Sequence, residues 1–119
     1  MTITKLHVET AELSTPVPVP EPLGAPMATV CSHVVPSESN PRTRTGVWEC
    51  TPGRFRRQVT QAEFCHFIEG ECTFTPDGQD AIEIRPGVAL FFPPNTKGVW
   101  EVHKTTRKVF IVFDEGTPV

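Results

Sequence analysis

No apolar run in this 119-residue chain exceeds five residues; the longest are Val88–Phe92 and Val109–Phe113. A membrane-spanning helix needs about 20, so none is expected, and no membrane partner with it. Positive charge is not in surplus either: 11 Lys+Arg against 14 Asp+Glu leave a net charge of −3. A dedicated nucleic-acid binder is usually basic, so nucleic acid is not an expected partner. The first residues, Met1 to Glu9, lack the apolar centre of a secretory signal, and the expected location is cytoplasmic. Cys-x-x-Cys is absent, and the spacings of 19, 15 and 7 residues between Cys31, Cys50, Cys65 and Cys72 fit no zinc finger or ribbon. In a reducing compartment these four read as small, partly buried thiols rather than disulfides.

Helical periodicity is the last absence. Helix should be confined to one turn near Glu9 to Leu13. Proline, by contrast, is abundant, with 13 residues. Pro16, Pro18, Pro20, Pro22 and Pro26 crowd one stretch. Proline fixes φ and offers no N–H to a sheet, so this stretch should run extended. It is either an arm packed on the surface or a leader. Residues 1–41 are therefore read as a Pro-rich N-terminal arm, with one candidate edge strand over Ile3 to Val8. Residues 42–119 are read as the folded domain.

From Arg42 onward short β-like runs alternate with turn residues. Thr43 to Thr51 stops at Pro52-Gly53, and Phe55 to Val59 follows. Glu63 to Ile68 stops at Gly70, and Glu71 to Thr75 at Pro76-Asp77-Gly78. Ala81 to Ile84 ends at Pro86-Gly87, and Val88 to Phe92 ends at Pro93-Pro94-Asn95. Val99 to His103 and Lys108 to Phe113 complete the set. Breakers at about every 8–12 residues point to an all-β sandwich or barrel. The pleat assigns faces. Glu63, Cys65 and Phe67 share one side, and Phe64, His66 and Ile68 the other; both are largely apolar. Val109 to Phe113 behaves the same way. One barrel interior can bury only one such face, so a second surface, either the proline arm or another subunit, should cover the other; a homodimer is expected, with the arm folded across that face as the competing explanation.

The ordered set Trp48, Pro52-Gly53, Glu63-Phe-Cys-His, Gly70, Pro86-Gly87, Pro93, Gly98-Val-Trp100-Glu-Val and Arg107-Lys108-Val109 resembles the short single-domain cupins related to (S)-ureidoglycine aminohydrolase. Glu63 with Gly70 is similar to the end of the first cupin motif, and Gly87 with Pro93 to the start of the second. The resemblance implies a jelly-roll β-barrel whose narrow interior holds a small molecule or a metal. Cupin metals usually sit on two His and one Glu from the first motif and one His from the second. Here only the glutamate is present. The His-x-His positions fall on Arg57 and Val59, or on Arg56 and Gln58, and the second-motif position is Gly98. The expected metal is therefore none, with a divalent ion disfavoured.

Glu63 should point into the barrel with Cys65 and Phe67, near Trp48 or Trp100. A carboxylate in such a pocket binds a cation, pairs with an arginine or takes up a proton. Arg56, directed inward, is the expected partner, with Gln58 completing a polar cradle. The alternative is that Glu63 and Arg56 form a purely structural pair. Cys65 and His66 are adjacent in a strand and face opposite ways, which argues against a Cys/His nucleophile. Two functions follow: a module binding a small polar metabolite without the cupin metal, or an enzyme resembling ureidoglycine aminohydrolase that acts on a small nitrogenous metabolite.

Overall fold

A computed structural model describes residues 3–114 of the chain. Eight strands follow in order: β1 (Val17–Pro18), β2 (Thr29–Pro36), β3 (Arg44–Cys50), β4 (Gly53–Val59), β5 (Ala62–Pro76), β6 (Ile82–Ile84), β7 (Ala89–Phe92) and β8 (Thr96–Phe113). All pair antiparallel, in the order β1-β2-β3-β8-β5-β6, with β4 on β8 and β7 on β5. No helix among the described residues is long and apolar enough to cross a membrane. The fold class expected from the turn spacing is the fold observed.

Two long strands organise the barrel. The early part of β8, Thr96 to Val102, pairs with β4, and its later part, Thr106 to Val112, pairs with β3. β5 accompanies β8 along both parts. The sequence pattern splits each of these strands in two, at Gly70 and between His103 and Lys108. Both are continuous, but Gly70 does mark a change. Before it, odd-numbered residues of β5 (Glu63, Cys65, Phe67) are buried; beyond it, even-numbered ones (Cys72, Phe74, Pro76) are. Register shifts between Phe67 and Cys72 turn the strand over. A bulge inserts an unpaired residue and reverses the pleat beyond it. Gly70 sits there at φ +98°, and a Cβ on it would lie 2.5 Å from Thr106 Cα, so no larger residue fits.

The N-terminal part differs from the expectation in three ways. Ile3 to Val8 forms no strand, and Ile3 is exposed. A single turn closes over His7 to Ala11, where Ala11 N–H donates to His7 O at 2.7 Å. Thr29–Pro36 is a strand of the sheet, paired with β3 from Val30 to Pro36, so a boundary at residue 41 falls inside a β-hairpin. The proline stretch lies between two sheet edges. Val17 and Pro18 pair with β2, while Glu21 O accepts from Arg56 N–H at 3.0 Å and Leu23 N–H donates to Arg54 O at 2.8 Å. Alternate prolines leave the intervening residues free to bond on both sides, and Val19 is buried at this seam.

The core is a continuous cluster of Val19, Ala28, Cys50, Phe55, Cys65, Phe67, Cys72, Phe74, Ile84, Phe92, Trp100 and Val102. Phe74 meets Phe92 edge-on at 5.3 Å and Trp100 at 4.8 Å. These aromatics seal the end of the barrel near β6 and leave the end near Arg44 and Val112 open.

Candidate functional site

The inward face of β8 carries Trp100, Val102, Thr106, Lys108, Phe110 and Val112 in one phase. Lys108 stands opposite Trp48 of β3 and Phe67 of β5. Its ammonium Nζ donates to Glu63 Oε2 at 2.6 Å, with both side chains about nine-tenths buried. The same Nζ lies over the rings of Trp48 at 4.6 Å, Trp100 at 5.5 Å, Phe67 at 5.9 Å and Phe92 at 6.0 Å. A buried ion pair survives only where geometry and further contacts offset its desolvation. Here the electron-rich ring faces supply those contacts for the cation. No buried side-chain nitrogen or oxygen among the described residues lacks a partner.

Above this pair opens a cavity of about 270 Å³. Its walls are mostly apolar, with Val30, Val34, Phe55, Phe92, Phe110 and Val112 among them, and its charged members are Arg44, Arg57, Glu63 and Lys108. Val19 and Pro20 of the proline stretch contribute to the wall, so the arm is part of the site.

Of the six residues marked out by sequence, Glu63, Trp48 and Trp100 line this cavity. Cys65 is fully buried beside it, its thiol pushed up to about 12 by burial and 3.8 Å from Leu90 O. Burial thus disfavours the thiolate, the form in which a cysteine acts as a nucleophile. Arg56 and Gln58 are not brought in. In β4 the buried residues are Gly53 and Phe55, so the pleat directs Arg57 and Val59 to the cavity and Arg56 and Gln58 outward. Arg56 instead binds Asp77 through Nη2 at 2.8 Å. The expected Arg56–Glu63 pair is replaced by Lys108–Glu63. Cys65 and Cys72 lie on the same strand, β5. His66 is exposed on the outer face.

Neither Lys108 nor Arg57 was singled out from the sequence; the signal that would have found them is phase, Lys108 alternating with Phe110 and Val112, and Arg57 with Phe55 and Val59.

A cupin metal would require donors that these positions do not provide. Arg57, Val59 and Gly98 stand where imidazoles are usual, and the surviving carboxylate already holds the Lys108 ammonium. A Cβ on Gly98 would come within 2.6 Å of Phe74 Cζ, so the core occupies the space a fourth ligand would need. Among the described residues no three His, Cys, Asp or Glu side chains gather as a metal site. The residues present do not fit a cupin metal.

The barrel is similar to several solved structures. EutQ from Clostridium difficile superposes with a TM-score of 0.74 at 20% identity, over 97% of this chain and 90% of that one. A Pseudomonas syringae protein of unknown function gives 0.71 at 22%, over 85% of this chain but 43% of its own. A ethanolamine utilization protein Q from Salmonella typhimurium, so described provisionally, gives 0.62 at 14%, over 90% and 99%. Identities of this order establish the fold alone. Among curated proteins none matches the chain. The sequence itself matches the EutQ-like cupin domain over residues 38–110, which spans β3, the whole of the Glu63–Lys108 floor and the bulged strand between them. With more than half its length inside that match, the chain belongs to the EutQ-like cupin domain family.

Proposed function

We propose that this cupin-domain protein binds a small, polar-headed organic molecule in the mouth of its barrel, without a metal. The observation that carries this reading is the cavity floor. Lys108 and Glu63 form a fixed, satisfied polar pair beneath an open space walled by aromatic and aliphatic side chains. Small-molecule sites have this make-up: a largely apolar concavity with a few placed polar groups that set orientation. The reading as an enzyme resembling ureidoglycine aminohydrolase has less support. The family match is to the EutQ-like type, and the cavity offers neither a free general base nor a metal donor set.

Thermal-shift screening of the full chain against a library of small metabolites, with and without EDTA, tests the proposal. A ligand that raises the melting temperature equally in both conditions, and fails to do so in Trp48→Ala, is expected. Stabilisation seen only after a divalent ion is added would contradict it.

A further inference from the structure

We infer that the ligand's polar head is a carboxylate, held at the cavity rim by Arg57; this rests on the binding reading above and narrows it to a chemical class. The chain as a whole is acidic, with 14 Asp+Glu against 11 Lys+Arg. Its cavity reverses that balance, lining itself with Arg44, Arg57 and Lys108 against the single carboxylate of Glu63. That carboxylate is consumed by Lys108 at 2.6 Å. What remains for a ligand is the positive charge of the two arginines. Arg44 shares its Nη2 with Gln61 Oε1 at 3.2 Å. Arg57 has no ion-pair or hydrogen-bond partner for its guanidinium among the described residues, although Asp77 and Glu71 elsewhere each hold a cation.

A ligand cation is disfavoured on two counts. The aromatic cage that would recognise an ammonium, formed by Trp48, Phe67, Phe92 and Trp100, is already filled by Lys108 Nζ. The carboxylate that would neutralise one is already paired. An inorganic anion would leave the apolar walls against water. An organic acid satisfies both ends: its carboxylate accepts two parallel N–H bonds from the planar guanidinium, and its apolar body fills the space between Trp48, Phe55 and Phe110.

The chain's two tryptophans, Trp48 and Trp100, both line the cavity, so intrinsic fluorescence reports on occupancy. The full-length protein is titrated with benzoate and hexanoate, with the isosteric benzamide and hexanamide, with benzylamine, and with inorganic phosphate. Saturable quenching by the carboxylates, at least tenfold tighter than by the amides or amine, is expected. In Arg57→Gln that preference should fall to within about twofold, because acid binding weakens several-fold more than amide binding. Because Arg57 is exposed and unpaired, this variant should fold, and a melting curve checks that it does. Amides binding as tightly as acids, benzylamine binding more tightly, or phosphate competing as well as benzoate would each overturn the carboxylate assignment and leave the binding site standing. Equal loss of acid and amide binding in Arg57→Gln would overturn the role of Arg57. Failure of every organic probe to quench would overturn both the assignment and the binding reading.

Discussion

Strands β5 and β8 carry apolar side chains on both faces, and the two faces differ in how far they are closed. On the inner face Cys65 and Phe67 are fully buried, and the only charges, Glu63 and Lys108, satisfy each other. On the outer face Phe91, Phe64, Ile111 and Thr45 stand side by side across β7, β5, β8 and β3. There Phe91 is 50%, Phe64 47% and Ile111 37% exposed. Alternating apolar pattern is thus the same signal for a core and for an uncovered surface. What separates them is the placing of charge: on β5 and β8 the inner face pairs its one cation, Lys108, with Glu63, whereas the outer face leaves His66 beside Phe64 with solvent around it. The proline stretch does not cover the outer face, since it is bonded between β2 and β4. We propose that a second copy of the chain does so.

The sharpest break of the inner face is Lys108→Met. It leaves Glu63 buried beside an apolar side chain, and losing one partner of a buried pair costs about 3–5 kcal/mol. The double variant Glu63→Leu/Lys108→Met should recover most of that loss, because removing both charges removes the desolvation burden as well. Urea unfolding of the two variants measures this. A double variant as unstable as the single would mean that the pair is irreplaceable for packing reasons.

A gentler probe of the same face is alkaline pH. Burial pushes the Cys50 and Cys65 thiols up to about 12 and Cys72 to about 11, from an ordinary 9.0. Between those values the unfolded chain releases protons that the folded chain retains. Their contribution is fully present below about pH 9 and declines as pH rises toward 11–12. The urea midpoint should therefore fall between pH 8 and pH 10.5, and Cys65→Ala should show a shallower fall than the parent over the same interval. Equal slopes would show that the inner thiols are accessible to water.

The smallest effect on stability should come from the outer face. Phe64→Ser with Ile111→Ser removes side chains that are only partly covered within the protomer, so the folding free energy of the protomer should fall by less than it does in Lys108→Met. The mass in solution should change completely, from dimer to monomer by light scattering at micromolar concentration. A parent chain that is already monomeric would discard the dimer.

The fold was legible because turn residues punctuate the barrel at regular spacing and Glu63, Cys65 and Phe67 announce an inward face. Strand β2 was not, because Thr29–Pro36 follows five prolines and lies at the sheet's far side, where its pairing with β3 is a tertiary fact. The continuity of β5 and β8 was hidden for a related reason. Gly70 and the polar run His103 to Arg107 mimic turns, yet serve a bulge and a crossing between the two halves of the barrel. At the site, the cavity's glutamate and both tryptophans could be read from motif spacing. Arg56 was preferred over Arg57 because a resemblance in spacing left two registers open, and only the burial of Phe55 chooses between them. Lys108 went unassigned because lysine is seldom buried; its place depends on an aromatic cage drawn from four different strands.

Calorimetric titration of Mn²⁺ and Ni²⁺ into EDTA-stripped protein bears most directly on the central claim, that the carboxylate in the barrel is held by an internal ammonium and does not serve a metal. With Lys108 holding Glu63 and no imidazole beside it, saturable binding tighter than about millimolar should be absent, since a lone carboxylate is a poor site for these ions. Equimolar binding in the micromolar range that disappears in Glu63→Gln would contradict the account.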